Sequence, residues 1–412
     1  EMHKVKIVQQ LNLLPTEQRL QKMKDAGFNT FQLHNGDIFM DMLTDSGVNA
    51  MSDNQLAAMM TPDDAYAGSE SFYRMVDKLE EIFGIKYCLP AHQGRACENI
   101  LAERFVKPGN CVIMNYHFTT TKAHITRLGG HVEELVKDEG LEAVSDLPFK
   151  GDIDLDKLEA CIAKEGAENV AFMRLEAGTN LIGGQPVSVQ NFKDACAIAR
   201  KHGIISVLDA SLLQDNLYFN KIREEACKDM TIREITREIA DQFDIIYFSA
   251  RKFGFARGGA ILVRDEALFH SMEDLVPMFE GFLTYGGMNG RDMAALAVGL
   301  DENTELETIE TRIRQVQYLA AKLDEYGIPY QRPVGGHALF VDADRVLDQI
   351  PKEEFPAQTL AIELYLEAGV RGCEIGYILA DRDPVTRENR FGGLDLLRLC
   401  IARRVYTNNH MD

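Results

Sequence analysis

Between residues 86 and 263 the chain alternates short apolar runs with longer stretches of helical periodicity. The runs fall at 86–90, 111–115, 169–174, 204–208, 244–249 and 259–263. Helical patterns such as 156–165 and 189–202 lie between most of them. Strands separated by helices are joined by crossovers and so pair in parallel. Such strands are covered on both faces and read as continuous apolar runs. The expectation is an α/β fold with a mostly parallel sheet between two helical layers. From about residue 305 the rhythm changes to a long helix at 305–326, a strand at 336–341, a helix at 356–368 and a strand at 396–401. That predicts a second, smaller α+β domain joined through the long helix. The 412 residues exceed one ordinary core. The expected division is a large domain at 53–304 and a small one built from 1–52 and 305–412.

The net charge of −20 argues against nucleic acid or an anionic membrane surface as the partner. An anionic ligand would have to be held by local arginines and backbone amides. No run of eighteen apolar residues occurs, so no membrane span is expected. The opening EMHKVKIVQQLNLLPTEQ lacks the apolar core of a signal peptide, which points to a cytoplasmic protein. Cysteines at 88, 97, 111, 161, 196, 227, 373 and 400 form no CxxC pair. Buried reduced thiols are expected rather than a metal or disulfide framework.

Three segments carry chemistry. In AHQGRACENI, Gln93-Gly94-Arg95 lie between a strand and a helix. A glycine turn at a helix start offers free N–H groups to an anion, and Arg95 adds a cationic fork. A plain strand–turn–helix with a surface arginine is the alternative. In SVLDAS, Asp209 ends an apolar strand, where open α/β sheets bind ligands. A helix N-cap is the alternative there. In YFSARKFGFARGGAIL, Lys252 follows a strand and precedes a glycine pair that opens another. Such a lysine can be desolvated and lose its proton, as imine formation requires; a solvated loop lysine is the alternative. Together the three form the layout for pyridoxal phosphate (PLP). Lysine bonds the aldehyde, aspartate pairs with the pyridinium nitrogen, and the turn holds the phosphate. The order phosphate turn, aspartate, lysine is that of the aspartate-aminotransferase-like fold (fold type I).

The chain closely resembles the β-eliminating lyases, the family of tryptophanase and tyrosine phenol-lyase. The matching stretches are LTDSGVNAMSD, DDAYAGSESFY, AHQGRACEN, NYHFTTTKAH, FKGDIDL, NLIGGQPVS, EGFLTYGGMNGRDM, VGGHALFVDA, EFPAQTLA and RRVYTNNHMD. They run from about residue 20 to the last residue; family chains continue past HMD with a segment that closes the active site. The resemblance implies that Gln93, Gly94, Arg95 and Ser249 hold the cofactor phosphate and that Phe118 stacks on the pyridine ring. It places Asn180 at the ring hydroxyl or the substrate carboxylate, and Asp209 at the pyridinium. Lys252 would form the imine and shuttle the α-proton, and Arg398 would pair with the substrate carboxylate. A buried structural role is the alternative for Arg398. Tyr66 would protonate the leaving group from a neighbouring subunit of a homodimer or homotetramer. Ser46 and Gly47 would lie beside the carboxylate and a monovalent cation site, such as one for K+, that also involves Asp64.

Departures from the family are equally specific. Leu212 stands where an arginine is expected, Phe253 where an aspartate follows the lysine, and Arg251 where a lysine precedes it. Thr119 resembles tyrosine phenol-lyase, whereas tryptophanase has an acid there. Ile375 resembles tryptophanase, whereas tyrosine phenol-lyase has its phenol-binding arginine there. The implied reaction is α,β-elimination from an L-amino acid, giving pyruvate, ammonia and a released β-substituent. Tryptophan is the first substrate; tyrosine, cysteine or another β-substituted alanine are alternatives. A PLP aminotransferase or a non-catalytic PLP-binding protein are rivals from other classes.

Overall fold

The computed structural model describes residues 3–379, 382–383 and 385–412. Its main sheet has seven strands: β1 (Tyr87–Ala91), β2 (Cys111–Met114), β3 (His131–Glu134), β4 (Val170–Glu176), β5 (Ser206–Asp209), β6 (Ile245–Ser249) and β7 (Gly259–Val263). The spatial order is β3-β2-β4-β5-β6-β7-β1. All neighbours are parallel except β7, which runs antiparallel to both β6 and β1. The expected mostly parallel α/β sheet is therefore what forms. Side chains alternate between two cores: Leu208, Ile246 and Leu262 face one, Val207, Ile245 and Ile261 the other.

Helices cover both faces. On the first side lies α1 (Glu70–Phe83), which buries Phe72, Met75, Leu79, Ile82 and Phe83. Their helical spacing puts them on one stripe, and Gly84 ends the helix in the left-handed region. On the second side lies α2 (Gly94–Phe105), burying Ala96, Cys97, Ile100 and Leu101. Further helices are α3 (Thr119–Arg127), α4 (Leu155–Glu165), α5 (Leu213–Arg223) and α6 (Leu306–Glu325).

Beyond α6 a three-stranded antiparallel sheet forms from β8 (Ala338–Asp342), β9 (Cys373–Ile375) and β10 (Leu396–Cys400), with β10 in the centre. Helix α7 (Pro356–Ala368) packs against it. The N-terminal segment joins this part of the molecule through Met40–Asp41, which pairs in parallel with Val370–Arg371. Among the described residues no helix is long and apolar enough to cross a membrane.

Candidate active site

The carboxyl ends of the parallel strands bring the three chemical segments together. Gln93 is the extended N-cap of α2 and its side chain makes no capping hydrogen bond. The N–H of Ala96 donates to the Gln93 carbonyl at 3.1 Å, which leaves the N–H groups of Gly94 and Arg95 for a ligand. A Cβ on Gly94 would lie 2.8 Å from Ser249 Cβ, so only glycine lets this turn sit against the end of β6. Ser249 N–H donates to Ser211 Oγ at 3.1 Å. Arg95 is exposed at the rim. Arg251 is depressed from the usual arginine range by burial and by the nearby charges of Arg257 and Arg95. Three guanidinium groups thus gather at this turn in a chain of net charge −20, the local cationic surface an anion requires.

Asp209 ends β5 and is buried. It caps no helix, since the N-cap of α5 is Leu212. Its Oδ2 accepts from Tyr247 Oη at 2.9 Å and from Arg174, and its Oδ1 accepts from Ser211 N–H at 3.0 Å. Burial alone would raise this carboxyl. Arg174, the Ser211 hydrogen bonds and Lys252 outweigh it and hold Asp209 below the usual carboxylate range. Glu176, bonded to the same arginine, is pushed up to about 7 by burial. The arginine thus serves an ionised Asp209 first, a carboxylate ready for a protonated ring nitrogen.

Lys252 lies in the turn after β6, half-buried. Its Nζ sits 5.1 Å from the centroid of the Phe118 ring. Among the described residues it has no carboxylate at ion-pair distance. Phe118 is the N-cap of α3, and Thr119 begins that helix. Phe118 borders the same apolar cluster as Ile375, which is 1% exposed on β9.

Arg398 stands on β10, buried. One Nη donates to Asn180 Oδ1 at 2.7 Å and the other to the Leu43 carbonyl at 3.0 Å. Its Nε is buried with no hydrogen-bond partner, and no carboxylate among the described residues pairs with it. A buried guanidinium without an anion is an unmet demand for one. Asn180 also faces His337 Nε2 at 3.3 Å, and burial keeps that imidazole far below its ordinary pKa and so neutral.

Other residues fall outside this group. Tyr66 is 73% exposed, stacks on Phe282 and meets Tyr285 edge-on. With Asp64 it lines a cleft of about 270 Å³. Asp64 accepts the Gly290 N–H at 3.0 Å, whereas Gly47 lies against Arg251 and donates to its carbonyl at 2.9 Å. No hydrogen bond among the described residues joins Gly47 to Asp64. Ser46 is half-buried and its N–H donates to Thr44 Oγ1 at 3.1 Å. Leu212 is buried, close against Gly178 in the turn that leads to Asn180. Phe253 turns away into the core against Phe83 and Phe248.

Two polar groups escaped the sequence reading. Behind Asp209, Tyr247 and Arg174 link to Glu98, whose carboxylate also accepts from Thr121 at 2.7 Å. The available signal was a lone arginine in the apolar run VAFMRLE. Beneath Lys252 lies a charge knot. Arg312 and Arg403 each reach Asp45 at 3.2 Å, both also bind Asp215, and Arg403 donates to the Lys252 carbonyl at 3.3 Å. Burial would raise Asp45, but Arg403 and then Arg312 hold it well below the usual carboxylate range.

An anion cup, an ionised strand-end carboxylate, a lysine over an aromatic face and a buried unpaired arginine fit pyridoxal phosphate and the carboxylate of an amino acid. The class they define is the PLP-dependent enzymes of fold type I. Solved structures agree on the fold. Leishmania major threonine aldolase superposes with a TM-score of 0.63 at 16% identity, covering 90% of this chain and 96% of that one. Sphingomonas wittichii serine palmitoyltransferase gives 0.62 at 13%, covering 91% and 85%. The Beta-eliminating lyase family matches residues 41–412, and this chain belongs to it. A probable beta-eliminating lyase of Trichomonas vaginalis is 50% identical over all of this chain and 90% of its own length. Tyrosine phenol-lyase of Fusobacterium nucleatum subsp. nucleatum is 46% identical with the same coverage. The protein is a PLP-dependent lyase.

Proposed function

We propose that the protein removes the β-substituent of an L-amino acid with consumption of water, yielding pyruvate, ammonium and the protonated substituent. The observation that carries this reading is Lys252 Nζ over the Phe118 ring, with ionised Asp209 among its electrostatic neighbours and Arg398 buried without an anion. Arg398 and Asn180 hold the substrate carboxylate. Lys252 removes the proton at Cα. The cofactor, when bound, supplies an electron-poor ring that takes up the electron pair left there. Asp209 keeps the ring nitrogen protonated, and Arg174 with Tyr247 keeps Asp209 ionised. The cup at Gln93, Gly94, Arg95 and Ser249 fixes the phosphate end. Tyr66 gives the leaving group its proton from a neighbouring copy, which accounts for its outward position; Ser46, Gly47 and Asp64 border a cation bound between copies.

The β-substituent is aromatic and apolar, with tryptophan the first substrate. The support is Ile375, buried in one apolar cluster with Leu43, Phe340, Leu396 and Cys373, where the resemblance to tyrosine phenol-lyase would put a phenol-binding arginine. Tyrosine is the second reading, favoured by Thr119 and by relatives named tyrosine phenol-lyase at 42–46% identity. The test is a screen of L-amino acids for pyruvate release, with identification of the co-product. Indole is expected. Phenol would move the assignment to the second reading. A keto acid that retains the side chain, or no turnover at all, would overturn elimination.

A further inference from the structure

At the opposite edge of the main sheet, far along the strands from Asp209, three metal-binding side chains converge. Cys111 begins β2 and His131 begins β3, and the two are direct partners in the parallel register. Registered neighbours in a parallel pair project to the same face. Glu165 is the last residue of α4, and its Oε2 lies 3.3 Å from His131 Nε2. The Cys111 sulfur, a His131 ring nitrogen and a Glu165 oxygen all lie within 4.8 Å of one another. One helical turn before Glu165 stands Cys161, whose thiol is a close neighbour of that of Cys111.

We propose that Cys111, His131 and Glu165 bind a zinc-class divalent ion, with Cys161 or a water as the fourth ligand. A thiolate, an imidazole and a carboxylate suit zinc, whereas calcium and magnesium require oxygen donors. Cys111 is wholly buried and Cys161 nearly so, while the His131 side chain is 46% exposed, so the ion enters from solvent past the imidazole. On binding, the Cys111 S–H bond breaks, as does that of Cys161 where it is the fourth ligand; each proton leaves to water, and each thiolate donates a pair to the metal. Lys164, which now shares Glu165 with His131, is exposed and also pairs with Glu133, so it can yield its place. The ion would tie the sheet's polar edge strand β3 to β2 and to α4 at once. Sequence spacing could not reveal the set, because its members lie on three separate elements that only the fold brings together.

The test uses the holoenzyme, stripped with a chelator under reducing conditions and titrated with zinc chloride by calorimetry. One ion per chain is expected, with sulfur at about 2.3 Å in the zinc X-ray absorption spectrum, proton release, and a rise in melting temperature. His131→Ala and Glu165→Gln, both at the surface end, should each weaken binding by roughly tenfold or more, and Cys111→Ser should take one sulfur out of the zinc coordination shell, leaving none where water is the fourth ligand and one where Cys161 is. His270→Ala, which disrupts a surface His–Glu pair lacking a thiol, should change nothing. Amino-acid turnover at saturating cofactor should be the same in all of these variants. Zinc binding that survives His131→Ala and Glu165→Gln, or binding weaker than millimolar, overturns the site. So does a protein lighter by two hydrogens with Cys111 and Cys161 joined in one peptide, since a disulfide would then occupy the sulfurs.

Discussion

Lys252 is reached from below by the charge knot and from the side by Phe118, yet its amine stays free of any carboxylate among the described residues. Borohydride reduction of the holoenzyme followed by peptide mapping should therefore label Lys252 and no other lysine, and Lys252→Ala should abolish both label and turnover. Arg398 makes the complementary case. Arg398→Lys keeps the charge but loses the planar fork, so kcat/KM should fall by roughly 1.5–3 kcal/mol in transition-state free energy. An unchanged kcat/KM would remove Arg398 from the substrate. Asp209 and Lys252 were legible because their chemistry is unusual at their positions, a carboxylate at a strand tip and a lysine before a glycine pair; Arg398, inside the apolar run LLRLC, came from the family resemblance alone. Arg174 also broke an apolar run, but its meaning depends on Asp209 and Tyr247 being its neighbours across β5 and β6. Those neighbours exist only once the strand order is known. Phe253 shows the reverse. It stands where the resemblance implies an aspartate beside Lys252, and the turn sends its ring into the core against Phe83 and Phe248.

At the scale of elements, the turn after β9 is bound by Glu374, which accepts the N–H groups of Ile378 and Leu379 at 3.0 and 3.1 Å. Burial pushes the Glu374 carboxyl up to about 7. The folded state then binds this proton more tightly than the unfolded chain does. The contribution to stability is complete below the ordinary glutamate pKa and is lost as pH rises through about 7. Unfolding free energy from denaturant titrations should fall between pH 5 and 8, and Glu374→Gln should reduce that fall by an amount on the order of 1–3 kcal/mol. A slope identical in both proteins would count against the assignment. Strand β9 was not anticipated from the sequence, being only three residues long. Strand β3, His-Val-Glu-Glu, was missed for a different reason. It is an edge strand, half-exposed and polar, so it carries no apolar run. The central strands were legible because burial on both faces requires them to be continuously apolar.

For the whole molecule the informative residue is Tyr66, an aromatic hydroxyl held outward on Phe282 and Tyr285. Mixing Tyr66→Phe with Lys252→Ala, each inactive alone, should restore part of the activity through hybrid sites. No recovery under conditions of proven subunit exchange would place Tyr66 outside the reaction. Within one chain, the knot of Asp45, Asp215, Arg312 and Arg403 has a mechanical meaning. Asp215 belongs to α5 beside the main sheet, Arg312 to α6, Asp45 follows the N-terminal strand segment, and Arg403 follows β10. Withdrawing any one of them strands a buried charge, at a cost of about 3–5 kcal/mol. Sliding the two sheets past each other would do that, whereas rotation about the knot would not. In any such rotation the knot would be the pivot, and because Arg403 also donates to the Lys252 carbonyl, the reactive lysine would sit beside its still point.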